Sequence, residues 1–208
     1  VLIFTIILLI EYHDFKRSLV RFIPNKYLEV GLRMIYNIEQ QISKYLRGQI
    51  LAAGSVAILS IIGLFILNQL GANITLIVFI GIIAGLANLI PMVGPFIGMI
   101  PAILIALMNN VGSDAALTHQ LFGTVPSPFY VLDIVLMFII VQQIDNNFIT
   151  PLVVGESVGL HPMAVMLVLL IGGTLIGPLG MLFAIPAAGV LKVVIGEIVF
   201  VTKNSHLL

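Results

Sequence analysis

Long blocks of apolar residues alternate with shorter polar ones along this chain, and the first blocks already predict helices. Residues 1–12 are almost entirely apolar, and residues 13–47 combine charged side chains with apolar ones that recur at helical spacing, as at Leu28, Leu32 and Ile35. That pattern is typical of an amphipathic helix that is too polar to cross a bilayer. We expect residues 1–12 to be the end of a transmembrane helix whose start is missing. The next block would pack on the membrane domain at headgroup level, or alternatively bind lipid or a partner.

Beyond residue 47 the apolar blocks reach membrane length. Residues 48–70 are long enough to cross a hydrocarbon core of about 30 Å, and a second such block begins at residue 129. Four further apolar pieces would extend only about 21–25 Å as helices, namely 74–90, 96–109, 162–176 and 181–195. They are either tilted spans in a thin bilayer or two re-entrant hairpins with tips at mid-membrane. Irregular backbone at that depth must be packed in protein or line a polar cavity.

A short internal repeat in the sequence favours the re-entrant hairpins. The stretches GPFIGMIPA (94–102) and GPLGMLFAIPA (177–187) share a Gly-Pro start and an Ile-Pro-Ala end, and each follows a spanning helix and a short apolar piece. A helix plus hairpin that occurs twice from opposite sides is the inverted repeat of secondary transporters. The predicted fold is therefore all-α and polytopic, with two short broken-helix hairpins. Its segments are 1–12, an interfacial part 13–47, a first repeat 48–109, an external loop 110–128, a second repeat 129–197 and a tail 198–208.

Composition and charge support a membrane protein and orient it. Hydrophobic residues make up 60% of the chain and charged residues only 9%, against about 25% charged in soluble domains. Seven of the nine Lys and Arg lie within residues 16–47, the others are Lys192 and Lys203, and the loop 109–128 has none. The positive-inside rule places residues 13–47 and the C-terminus in the cytoplasm and the loop outside. Without a basic cluster, nucleic-acid binding has no support, and the absence of Cys excludes disulfides and thiolate chemistry.

The polar end of the second spanning block is the first candidate site. The sequence QQIDNN places four amides and a carboxylate together: Gln142, Gln143, Asp145, Asn146 and Asn147. They are either interfacial residues, solvated or capping the next segment, or they line a transport cavity, as intramembrane ionisable residues usually do. Amides suit a neutral hydroxylated solute or a partly dehydrated cation. Asp145 could then carry a coupling proton or ion.

The hairpin tips are the second candidate. In NLIPMVGP, Pro91 and Pro95 remove backbone donors and Gly94 loosens the turn, so that neighbouring carbonyls lose helical partners. Freed groups at a half-helix end are potential ligand contacts; an ordinary Pro-Gly loop is the alternative. Asn88 either lines this site or caps the break. The second tip would supply Gly177 and Pro178.

Within the second repeat, the segment that links the spanning helix to the hairpin contains GESVG (155–159), which matches the Gly-x-Ser-x-Gly pattern of hydrolases. That elbow needs a strand before it, whereas a helix precedes it here, so we expect no enzyme. We expect a hinge or gate instead, with His161 as a pH-sensitive gate residue or a helix cap. The residues assigned to this hinge are Pro151, Gly155, Gly159, His161 and Pro162.

Three stretches together resemble the autoinducer-2 exporter family of bacterial membrane proteins. They are GLANLIPMVGPFIGMIPAILIAL (85–107), QQIDNNFITPLVVGESVGLHPMAV (142–165) and LLIGGTLIGPLGMLFAIPAAGVLKV (169–193). The resemblance implies a multi-pass transporter of the bacterial inner membrane with elevator-like movement. It links members to quorum-sensing signal export or to sodium(lithium)/proton antiport, and it implies a homo-oligomer, with a pentamer as the candidate.

The sequence thus favours a secondary transporter that exports a small polar solute in exchange with a proton or sodium ion. The alternatives are a sodium(lithium)/proton antiporter on the same scaffold and a non-transporting membrane scaffold. We expect no cofactor and no metal site. The expected partners are the lipid bilayer, the solute, the coupling ion and further copies of the chain.

Overall fold

A computed structural model describes residues 16–18, 20–21, 23–24, 27–90, 93–150 and 160–203. The expected end of a transmembrane helix at residues 1–12 and the tip residue Pro91 lie outside them, as do Pro151, Gly155 and Gly159. The elements are α1 Leu28–Leu67, a π-helical turn Asn68–Ala72, α2 Ile77–Ala87, α3 Gly94–Asn109, α4 Asp114–Thr118, β1 Gln120–Leu121, β2 Val125–Pro126, a 3₁₀ turn Pro128–Tyr130, α5 Val131–Ile144, a π-helical turn Asp145–Ile149, α6 Pro162–Ile176 and α7 Pro178–Lys203.

Helices make up nearly all of the described structure. Three helical stretches, Leu28–Ala72, Pro128–Ile149 and Pro178–Lys203, are long and apolar enough to cross a membrane. Three shorter apolar helices accompany them, which are α2, α3 and α6. The one strand pairing that the structure describes is a two-residue antiparallel hairpin, with Gln120 opposite Pro126. The predicted all-α polytopic membrane fold is confirmed.

The chain divides into two compact units. The described residues up to Ser43 and from Pro186 onward form one unit, and Lys44–Ile185 form the other. In the larger unit the core lies among α1, α2, α3 and α5, where Val56, Ile80, Ala102 and Phe138 are almost wholly buried. This unit contains every described residue of the candidate site.

The first helix is longer than the sequence pattern suggests. The predicted change from an interfacial helix to a spanning helix at residue 48 is not a break, because α1 continues from Leu28 to Leu67. Gly48 is buried inside the helix. An interior glycine costs only about 1 kcal/mol relative to alanine, and no proline interrupts the hydrogen-bond ladder there. The side chains of α1 become more apolar after residue 47, but the helical backbone continues without a break.

The first hairpin packs through small residues. A Cβ on Gly98 of α3 would lie 2.6 Å from the Cβ of Ala84 on α2, and a Cβ on Gly85 would lie 2.7 Å from the carbonyl oxygen of Ala53 on α1. Small residues let membrane helices approach this closely. Backbone proximity therefore fixes how α2 crosses both α1 and α3.

The second hairpin, formed by α6 and α7, also packs through small residues. A Cβ on Gly180 would overlap the carbonyl oxygen of Gly172, and Gly177 turns the chain between the helices with φ of 68°. The second half of this hairpin is not short as predicted, because α7 runs on to Lys203. Pro186 lies inside that helix and does not end it.

A polar network stabilises the connection into α5. The Ser127 hydroxyl donates to one oxygen of Asp133 and the His119 ring lies 3.3 Å from the other. The Tyr130 ring stacks on His119 with centroids 3.9 Å apart. Phe129 and Tyr130 both have positive φ, which is uncommon for residues with side chains. The network holds this strained turn at the start of the helix that carries Asp145.

In the smaller unit, α1 and the last turns of α7 are joined by charge. Arg33 binds Glu197 through Nη2 at 2.6 Å and Nε at 3.2 Å, and Asn37 donates to the other carboxylate oxygen at 3.1 Å. The guanidinium also lies 4.3 Å above the ring of Phe200. The polar face of the predicted amphipathic helix thus packs against protein here.

Candidate functional site

Two polar residues from the candidate motifs meet inside the larger unit. Asn88, at the C-terminal end of α2, and Asp145, at the end of α5, are each 1% exposed. Asn88 Nδ2 lies 3.4 Å from Asp145 Oδ2. The burial of Asp145 argues against a solvated interfacial role within this chain. The sequence motifs NLIPMVGP and QQIDNN therefore meet through Asn88 and Asp145.

Three side-chain oxygens at this site have no hydrogen-bond partner among the described residues. They are Asn88 Oδ1, Asp145 Oδ1 and Gln142 Oε1, and all three atoms are buried. The Thr150 hydroxyl also approaches the Asp145 carboxylate, but it does not satisfy Oδ1. Buried polar atoms are normally paired. The site thus offers acceptors to a species that brings donors or positive charge.

The five polar residues of QQIDNN do not act as one cluster. Gln142 is buried one turn before Asp145, and its Nε2 donates to Asn146 Oδ1 at 2.9 Å. Gln143 and Asn147 are exposed, because they lie on the other side of the helix. Gln142 and Gln143 also line a cavity of about 110 Å³ with the apolar residues Pro95, Phe96, Met99, Phe138 and Ile139.

The first hairpin tip lies directly beside this cluster. Gly94 and Pro95 are both buried at the start of α3. A Cβ on Gly94 would lie 2.5 Å from the Cβ of Asn88 and 2.9 Å from its Oδ1. Glycine at this position therefore leaves the space that the Asn88 side chain occupies.

The second tip and the hinge are less closely connected to the site. Gly177 ends α6 and Pro178 is exposed at the start of α7, and no hydrogen bond in the described part of the chain joins either residue to Asn88 or Asp145. His161 caps α6, since its Nδ1 accepts from Met163 N at 3.3 Å. Its role as a gate stays a prediction, as does that of Pro162.

Gln49 of α1 contacts the site, although nothing in the local sequence pattern marked it. It is 4% exposed, and its Nε2 donates to the carbonyl oxygens of Asn88 at 2.7 Å and Leu89 at 3.0 Å. A lone amide at the start of an apolar helix was the only signal available. The contact also places the tip level with Gln49, two residues after Arg47 in α1.

Comparison with known proteins shows which protein family the sequence resembles. The family model described as AI-2E family transporter matches residues 1–200. YueF of Bacillus subtilis (strain 168) is 30% identical over 191 residues, which cover 92% of this chain and 46% of that protein. YrrI of the same organism is 34% identical over 170 residues, covering 82% and 42%. Both relatives are named provisionally as transport proteins. The chain spans less than half the length of these relatives, and no solved structure matches it.

Proposed function

The chain belongs to the AI-2E transporter family, and from this premise we propose that it forms the part of a secondary transporter that binds a small polar solute. The binding site would be centred on Asn88, Gln142 and Asp145. The observation that carries the proposal is the set of three buried oxygens for which the described residues supply no hydrogen-bond partner. Leaving such groups unsatisfied costs about 1–3 kcal/mol each, and a bound solute with donors would remove that cost.

The solute that fits best is small, neutral and rich in hydroxyl groups, as an autoinducer-2-like signalling molecule would be. Each hydroxyl can donate to one of the unpartnered oxygens. The apolar wall formed by Phe96, Met99 and Phe138 would pack against carbon atoms of the solute. Apolar walls with few placed polar groups are the usual composition of small-molecule sites.

The position of the site supports export. The first tip lies level with Gln49, close to the basic segment 16–47 that the positive-inside rule assigns to the cytoplasm. With that orientation, the site would lie nearer to the cytoplasmic side, where an exporter loads. We extend the proposal to alternating access with elevator-like movement in a homo-oligomer of the bacterial inner membrane, with the C-terminus in the cytoplasm.

A second candidate is sodium(lithium)/proton antiport on the same scaffold. All three unpartnered atoms are oxygens, and one belongs to a carboxylate. Hard cations prefer oxygen ligands, so the same cluster could bind a sodium ion or a proton in turn. A non-transporting membrane scaffold that binds partners through α1 is the third alternative, and the site chemistry gives it no support.

Flux through proteoliposomes tests all three functions. The intact protein would be reconstituted, and we would measure counterflow of a labelled hydroxylated solute, dissipation of a pH gradient by sodium, and both again after Asn88→Ala. Solute counterflow that Asn88→Ala reduces supports export, and sodium-driven dissipation alone supports the antiporter. A well-assembled protein with neither activity would contradict the proposal.

A further inference from the structure

The contact between Gln49 and the first hairpin tip has a specific geometry. Two carbonyl oxygens that close the C-terminal end of α2, those of Asn88 and Leu89, accept from the same amide nitrogen of Gln49. Gln49 comes from another helix, 39 residues before Asn88. Gln49 and Asn88 are almost fully buried, and Leu89 is partly buried.

The Leu89 carbonyl loses its α-helical donor because the helix stops. In a continuing helix Leu89 O would accept from the amide of residue 93. Val93 N donates to Ile90 O instead, at 3.2 Å. The break therefore releases Leu89 O, and Gln49 replaces the missing backbone donor. A buried carbonyl left without any donor would be strongly unfavourable.

Asn88 connects this contact to the site. Its carbonyl oxygen accepts from Gln49, and its side chain lies 3.4 Å from Asp145. Before the tip, at Gly85, α2 packs closely against Ala53 and Ala57 of α1. The tip beyond Gly85 is held by the Gln49 hydrogen bonds. Movement of the tip away from α1 would break them and carry Asn88 away from Asp145.

We propose that Gln49 is a positioning residue that latches the first hairpin tip to α1 and controls access to the Asn88–Asp145 site, an inference that rests on the proposed transport function. The tip opens when water replaces Gln49 as the donor to the two carbonyls. Opening of the tip and hydration of the site then occur together, because the released carbonyls are stable only when water donates hydrogen bonds to them.

Thiol labelling tests the latch without measuring transport. The chain has no Cys, so Leu89→Cys places a single thiol at the tip and leaves its backbone carbonyl unchanged. The rate of reaction with a water-soluble maleimide would be measured on the intact protein. It would be divided at each pH by the rate for Thr124→Cys, an exposed position in the outer loop.

Two substitutions give distinct expected results. Gln49→Leu removes the donor, and labelling should become about tenfold faster at every pH. Gln49→Glu keeps the shape of the side chain. Its protonated form can donate and should label slowly, whereas its carboxylate would face two carbonyl oxygens, so labelling should accelerate as pH rises. Gln40→Leu, at an exposed position on the same helix, should leave the rate unchanged.

The pH profile ties faster labelling to loss of the donor at residue 49, because loosening caused by the exchange of side chains alone would be the same at every pH. Equal rates in the parent and Gln49→Leu, or a Gln49→Glu rate that ignores pH, would overturn the latch. The proposed function fails separately. If the Gln49 variants change the labelling rate as expected but the protein shows no flux, only the transport function is contradicted. If flux depends on Asn88 but the Gln49 variants leave the labelling rate unchanged, only the latch is contradicted.

Discussion

Asn88 and Asp145 are 57 residues apart in the chain, yet Asn88 Nδ2 lies 3.4 Å from Asp145 Oδ2 at a site where both residues are 1% exposed. The contact joins a helix break to the polar end of a spanning helix. Each residue also presents one oxygen that has no hydrogen-bond partner within the described parts of the chain. The pair therefore has unused acceptor capacity, which distinguishes it from a purely structural hydrogen bond.

The first prediction is that Asp145→Asn abolishes gradient-coupled flux while the protein still assembles. Asparagine keeps the size of the side chain but cannot bind a proton or neutralise a cation. Losing a charged hydrogen-bond partner costs about 1.5–3 kcal/mol, and 1.4 kcal/mol corresponds to about a tenfold change, so we expect flux to fall at least about tenfold. Proteoliposome flux beside a size-exclusion profile measures this.

Two variants control that experiment. Asp145→Glu keeps the carboxylate and should retain much of the flux. Asp114→Asn, which neutralises an exposed acid in the loop 110–128, should change nothing. Parental flux from a well-assembled Asp145→Asn protein would show that Asp145 serves only the structure.

The second prediction concerns the crossing of α1 and α2. Gly85→Ala would place a Cβ 2.6 Å from that of Ala57 and 2.7 Å from the Ala53 carbonyl oxygen. Overpacking of this kind costs about 1–3 kcal/mol, so the thermal unfolding temperature in detergent should fall. Gly54→Ala is the matched control, since a Cβ there meets nothing within 4 Å. A larger loss of stability for Gly54→Ala than for Gly85→Ala would contradict the packing described for α1 and α2.

The third prediction concerns the Glu197 network in the smaller unit. Glu197→Gln removes the charge that Arg33 binds at 2.6 Å. Because Arg33 is about half exposed, solvent screens the pair, and we expect a loss of about 1–2 kcal/mol. Thermal unfolding reports it. Glu29→Gln neutralises an exposed acid on α1, the helix that carries Arg33, and should have a much smaller effect. Equal shifts from both variants would mean that the network contributes no more than its net charge.

The fourth prediction concerns topology. Single Cys residues at Ser113 and Thr124 should react with an impermeant maleimide in intact cells, because the basic-free loop is assigned to the outside. A Cys at Ser43, between Arg33 and Lys44, should react only after permeabilisation. Labelling of the Ser43 position in intact cells would reverse the orientation and, with it, the argument for export.

Sequence patterns were sufficient for several features because each depends on local chemistry. Apolar block length predicted the membrane helices, and the family model confirms the resemblance found in the three motifs. Gly94, Pro95 and Asn88 were recognised because proline and glycine release backbone partners wherever they interrupt a helix. The sequence also selected both halves of the Asn88–Asp145 site, although it could not show that they meet.

Tertiary structure decided the rest, because helix packing depends on which surfaces are close in space. It separated Gln142 and Asp145, which are buried, from Gln143 and Asn147, which face outward, although all four lie in one polar run. It made α1 continuous across Gly48 and brought Gln49 to the carbonyls of a helix break far along the chain. A lone glutamine in an apolar run has no distinctive pattern, and only the crossing of α1 with α2 gives it a partner.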